Sequence, residues 1–216
     1  MLQAFDKHKI SHEIRNQLWN QEDVKTSSII GNLLHLPTNI FWHILRNASD
    51  KTDANGNKLP VLSEDEDIID YEFWPYWTLQ DKVEPDVFIR FANFDLIVEL
   101  KVHDYNQQKS WQWNREFSAY YKRYPNENKP VYLIAISGKT NETMNNVFQC
   151  SWQSLLETVL DAKEIAESKK GFIDRIFNDI LMAFSIHQEF YFKYLDSVTL
   201  DQMNITSDYK LFPNLI

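Results

Sequence analysis

The sequence predicts an α/β fold with a mixed sheet, and three observations carry that expectation. Three β-prone runs succeed one another between residues 68 and 102. A fourth run, "PVYLIAISG" at 130–138, is almost wholly apolar, which suits a strand buried on both faces. The segments before, between and after these runs repeat apolar residues at helical spacing. The order is therefore α, βββ, α, β and then helices, and no internal repeat or second domain is visible.

Each element has its own signal. Residues 12–46 read as helical, with Ile14, Leu18, Ile29, Ile30, Leu33 and Leu34 before Pro37, and Ile40, Phe41, Ile44 and Leu45 after it. Pro37 removes a backbone donor and crowds the preceding turn, so one continuous helix is excluded, and Thr38 is placed to cap the second. The polar, turn-rich stretch 48–67, with Asn55-Gly56, reads as a surface loop. "IIDYEFWPYWTL" at 68–79 reads as an aromatic strand with an edge or bend at Pro75. Residues 86–92 and 94–102 form a hairpin around Asn93. A helix follows at 107–124, where Trp113, Phe117, Tyr120, Tyr121 and Tyr124 keep helical spacing. Helices at 151–168 and 171–186 close the pattern, the latter with Ile173, Ile176, Phe177, Ile180, Leu181 and Phe184 in one stripe.

Composition narrows the class. With 216 residues, 44% hydrophobic and 14% aromatic, the chain can bury a full core. No run approaches the roughly 18 apolar residues of a membrane span. The charged N-terminal stretch lacks the apolar segment of a signal peptide. Cys150 is the single cysteine, so no internal disulfide forms and a cytoplasmic location is expected. The net charge of −9 runs against a nucleic-acid partner, yet Lys101, Lys109, Arg115, Lys122, Arg123 and Lys129 fall within one short span.

Strand alternation then groups ionisable residues. In "FDLIVELKV" the side chains of Asp95, Ile97, Glu99 and Lys101 share one face, and Leu96, Val98, Leu100 and Val102 share the other. A turn centred near Asn93 sets Asp86 opposite a position near residue 100, beside Glu99 and Lys101. Two converging carboxylates repel, and partial burial raises their pKa. A divalent cation relieves both penalties. Oxygen donors without cysteine or paired histidine favour Mg²⁺, or Mn²⁺ in its place, over zinc.

On these residues the segment resembles the PD-(D/E)xK nuclease superfamily, with Pro85-Asp86 as the first element and Glu99-Leu100-Lys101 as the second. The resemblance implies a restriction-endonuclease-like core, α-βββ-α-β, over about residues 20–138, with 139–216 a mainly helical extension of the same domain. It implies that Asp86 and Glu99 are metal ligands and that Lys101 positions or helps deprotonate the attacking water. It also implies an acidic residue on the first core helix, Glu22, with Asp23 as the competing choice. Gln112 on the crossover helix is similar to the glutamine of helicase-associated exonucleases, although the residue four further on is Glu116 and a tyrosine comes only at 120. Gln112, Glu116 and Tyr120 lie on one helical ridge, and Gln108, Gln112 and Arg115 are candidates to face substrate phosphates. The implied activity is metal-dependent cleavage of nucleic acid, DNA in preference to RNA.

A different class of function is an idle relative acting as an assembly module, which the acidic balance and the helical region 151–195 favour. A third possibility is a homo-oligomer assembled through the aromatic strand 68–79. Trp113 is expected in the core, Trp111 is left open between core and base stacking, and His103 and Cys150 are read as a surface histidine and a buried hydrophobe.

Overall fold

The computed structural model describes residues 21–63, 65–102, 105, 107–166 and 171–187. The N-terminal part of the helical stretch expected from residue 12, His103 and everything after 187 lie outside them. The first helices are α1 (Glu22–Leu33) and α2 (Thr38–Ala48), separated at Pro37 as expected. Thr38 is the first helical residue and not the cap: Pro37 holds the cap position, and the Thr38 hydroxyl donates to Asp67 across the following loop.

Five strands form one mixed sheet in the order β1-β4-β5-β6-β7. They are β1 (Ile68–Phe73), β4 (Val87–Phe91), β5 (Asp95–Leu100), β6 (Val131–Ile136) and β7 (Val147–Cys150). β1, β4 and β5 run antiparallel as a meander, and β5, β6 and β7 are parallel. Two differences from the sequence reading stand out. The stretch 68–79 is not one strand: the chain turns at Trp74, whose φ is +50°, and Pro75, and Trp77–Thr78 (β2) pairs with Lys82–Val83 (β3) in a separate ribbon. The mainly helical stretch after 138 also contains a strand that the sequence reading lacks, β7, which extends the sheet. Only four residues long and separated by Ser151 alone from the helix that begins at Trp152, it carries too short a period to announce itself.

The remaining helices are α3 (Ser110–Arg123), α4 (Trp152–Ala166) and α5 (Phe172–Ile186). Helices α1, α2, α4 and α5 cover one face of the sheet over Val87, Ile89, Leu96, Val98, Leu100, Ile134 and Ile136. Helix α3 and the β2–β3 ribbon cover the other over Phe88, Ile97, Leu133 and Ala135, with Trp113 fully buried between them. All six residues of β5 are buried, so the face bearing its polar residues is roofed by α3 and not free. Cys150 is buried, as expected. Among the described residues no helix is long and apolar enough to cross a membrane.

Candidate functional site

The site forms where β4 begins and β5 ends. β4–β5 pairing sets Val87 opposite Val98, so the next step outward brings Asp86 across from Glu99. The carboxylate of Asp86 accepts the backbone N–H of Leu100 at 2.7 Å, which fixes it to the neighbouring strand. Lys101 leaves β5 with its N–H on the Ile136 carbonyl at 2.9 Å, and its own carbonyl accepts the Trp152 indole at 3.0 Å. Its ammonium donates to Glu99 Oε1 at 2.6 Å, to Glu22 Oε1 at 3.2 Å and to the Leu100 carbonyl at 2.9 Å. Glu22, the first residue of α1, thus reaches the cluster from the opposite helical layer, while Asp23 is exposed.

Helix α3 closes the site from above. Gln112 and Tyr120 stand eight residues apart, a rise of about 12 Å; Glu99 and Asp95 stand four apart on β5, a rise of about 13 Å. The two spacings match, and the ridge fits the strand: Gln112 Nε2 donates to Glu99 Oε1, and the Tyr120 hydroxyl donates to Asp95 at 2.9 Å. Between them lies Glu116, which is buried and takes a second hydrogen of the Gln112 amide at 3.1 Å. The sequence places Glu116 on this ridge but carries no signal of its burial. Gln108 is an anchor: it donates to the Glu99 carbonyl at 3.3 Å and accepts the Trp113 indole at 2.9 Å. Arg115 turns to the β2–β3 ribbon, donating to the Lys82 carbonyl at 3.0 Å, and is not brought to the carboxylates. Trp111 is exposed beside Gln112.

The electrostatics are those of several carboxyl groups gathered, largely buried, around one ammonium. Burial and then the neighbouring Glu99 charge push Asp86 up to about 8, against the lowering effect of the Leu100 N–H. Burial likewise raises Glu99, although Lys101 and Gln112 oppose it. Glu116 is raised well above the usual carboxyl range by burial and then by Glu99. For Lys101 burial works downward, but the surrounding Glu99, Glu22 and Asp86 carboxylates more than reverse it and keep the ammonium charged.

One oxygen each from Glu22, Asp86 and Glu99 lies within 4.8 Å of the others. The three side chains come from α1, β4 and β5, so the fold and not local sequence gathers them. An all-carboxylate donor set without sulfur or nitrogen fits a hard cation such as Mg²⁺ or Mn²⁺. A groove of about 1320 Å³ between the α1–α2 turn and β1 is lined by none of these residues. No protein-family model matches the chain, and comparison with curated proteins gives no match either.

Proposed function

We propose that the chain is a metal-dependent nuclease of the PD-(D/E)xK type, built on a restriction-endonuclease-like core and cleaving phosphodiester bonds in nucleic acid, DNA in preference to RNA. The observation that carries this reading is the grouping of Asp86, Glu99 and Glu22 around the Lys101 ammonium at one end of β5. The order α1, then β1, β4 and β5 as a meander, then α3 and β6 supports the core assignment. Asp86, Glu99 and Glu22 would hold Mg²⁺ or Mn²⁺, which when bound supplies Lewis acidity to a phosphodiester oxygen and lowers the pKa of water. Lys101, held charged, orients the nucleophile and offsets charge developing on the phosphoryl oxygens. Gln112 steadies Glu99 from above, and Trp111 is free on the surface to meet substrate.

The test is incubation with linear, circular and single-stranded DNA and with RNA, in Mn²⁺ or EDTA. Cleavage is expected in Mn²⁺ alone and is lost in Glu99→Ala and Lys101→Ala while the fold persists; cleavage retained by either variant removes the reading. One observation favours a second reading, an idle relative serving as an assembly module: the Lys101 ammonium sits within hydrogen-bond reach of Glu99 and Glu22 and already neutralises part of the cluster. That reading predicts no Mg²⁺ or Mn²⁺ binding in a calorimetric titration.

A further inference from the structure

Gln112 carries two hydrogens on Nε2, and each meets a carboxylate, one on Glu99 Oε1 and the other on Glu116 Oε1. Glu116 is 2% exposed, and its second oxygen is buried without a hydrogen-bond partner among the described residues. Its helical neighbours are Trp113, Phe117 and Tyr120, all in the apolar cluster under α3. A leucine there would pack without the cost of a buried, half-satisfied carboxyl group. Lys101, the ammonium of the cluster, is committed to Glu99 and Glu22. Stability therefore gives no reason for a glutamate at 116, and a polar group kept in a core against stability points to the site beside it.

We propose that Glu116 is a positioning residue of this site, acting through Gln112. It anchors the second amide hydrogen, so the Gln112 side chain cannot flip and its first hydrogen stays on Glu99 Oε1. With Lys101 and Gln112 both on that oxygen, the other Glu99 oxygen would be left to a cation that Asp86 and Glu22 would also hold. The inference rests on the metal-dependent reading above and adds a residue to it that touches neither cation nor substrate.

Mn²⁺ titration of the full chain by calorimetry, with thermal unfolding in EDTA alongside, tests it. Glu116→Leu and Gln112→Leu are each expected to weaken Mn²⁺ binding by about 10- to 100-fold, the usual effect of removing an outer-shell partner. The double variant should bind no more weakly than Gln112→Leu alone, because both substitutions break one relay. Glu116→Gln keeps an acceptor oxygen for the Gln112 amide and should stay within about threefold of wild type. Glu116→Leu should unfold at the same or a higher temperature than wild type in EDTA, whereas a residue with a packing role alone would lower it and leave affinity unchanged. Wild-type affinity in Glu116→Leu, or losses that multiply in the double variant, overturns the inference; Glu116→Met reads the same contact if Glu116→Leu does not fold. A wild-type chain that binds no Mn²⁺ is a different result, removing the cation site and the proposed function together.

Discussion

Strand β5 buries two carboxylates on one face beneath one helix, and their surroundings are opposite. At its start Asp95 is fully buried and fully answered: Lys129 stands at 2.8 Å, Arg90 at 3.5 Å, and the Tyr120 hydroxyl donates at 2.9 Å. Arg90 also pairs with Glu127, so the charges at that end are matched. At its end Glu99 shares one lysine with Glu22, close to Asp86 and Glu116. The strand, the face and the roof are the same; the balance of charge differs. A buried carboxylate surrounded by cations and a hydroxyl holds the fold together, whereas one among other carboxylates makes a place for an added cation or a proton.

The largest expected effect is on pH dependence, which acts on the excess end. Asp86 keeps its proton up to about 8 in the folded chain against an ordinary 3.8. Between those values the folded state binds more protons than the unfolded state, so stability without metal falls as pH rises. The slope reaches at most about 1.4 kcal/mol per pH unit for one such proton. If the cluster holds the proposed cation, Mn²⁺ affinity should move the other way and strengthen over the same window, because cation and proton compete for the same oxygens. Denaturant melts in EDTA at pH 5, 6.5 and 8 read the first trend, and titrations at the same pH values read the second. Asp86→Asn should flatten the stability slope and raise stability at pH 8; an unchanged slope would mean that the proton is held elsewhere.

The matched end should respond in the opposite sense. Asp95→Ala strands Lys129 and part of Arg90, and breaking a buried pair in this way costs about 3–5 kcal/mol. Glu99→Ala, which relieves repulsion, should cost far less in EDTA and, on the proposed function, should abolish Mn²⁺ binding. Urea denaturation of the two variants side by side makes the contrast quantitative. If Glu99→Ala proves the more destabilising of the two, the distinction between a structural and an under-compensated end is wrong.

How much of this was legible in the sequence follows from the range of each signal. Alternation along 94–102 put Asp95, Glu99 and Lys101 on one face, and the hairpin around Asn93 brought Asp86 to Glu99, because turn and period are local properties. Asp95 sat in that same set of alternating polar residues, yet nothing local separated it from Glu99. Its partners Arg90, Tyr120 and Lys129 arrive from β4, α3 and the loop after α3. Glu116 was visible on the ridge with Gln112, but its burial depends on how α3 lies on β5. Arg115, read as a phosphate contact, faces the β2–β3 ribbon, and that ribbon was hidden inside a stretch read as one strand. Residues whose roles are set across elements stay silent until the elements are packed.

The smallest effect separates backbone strain from contact with the site, and two glycines supply the pair. Gly138 has φ +63°, and a Cβ there would stand 2.9 Å from Lys101 Cγ, 3.0 Å from Lys101 Cβ and 3.1 Å from Gln107 Cβ. Gly56 has φ +81°, with nothing within 4 Å of its Cβ position. Alanine at either site meets the same left-handed backbone penalty, about 1–2 kcal/mol. Only at 138 does it also press on the stem of the lysine whose ammonium must reach Glu99 and Glu22. The Gly138 carbonyl accepts the N–H groups of Gln107 and Gln108, so the backbone there cannot simply back away from the new methyl group. On the proposed function, Gly138→Ala should therefore lose Mn²⁺-dependent cleavage and more stability than the backbone penalty alone, and Gly56→Ala should lose only that penalty and keep cleavage. Equal cleavage by the two variants would show that the placement of Lys101 tolerates a shift of a few tenths of an ångström, and the close packing behind the lysine would then be structural, like the Asp95 end.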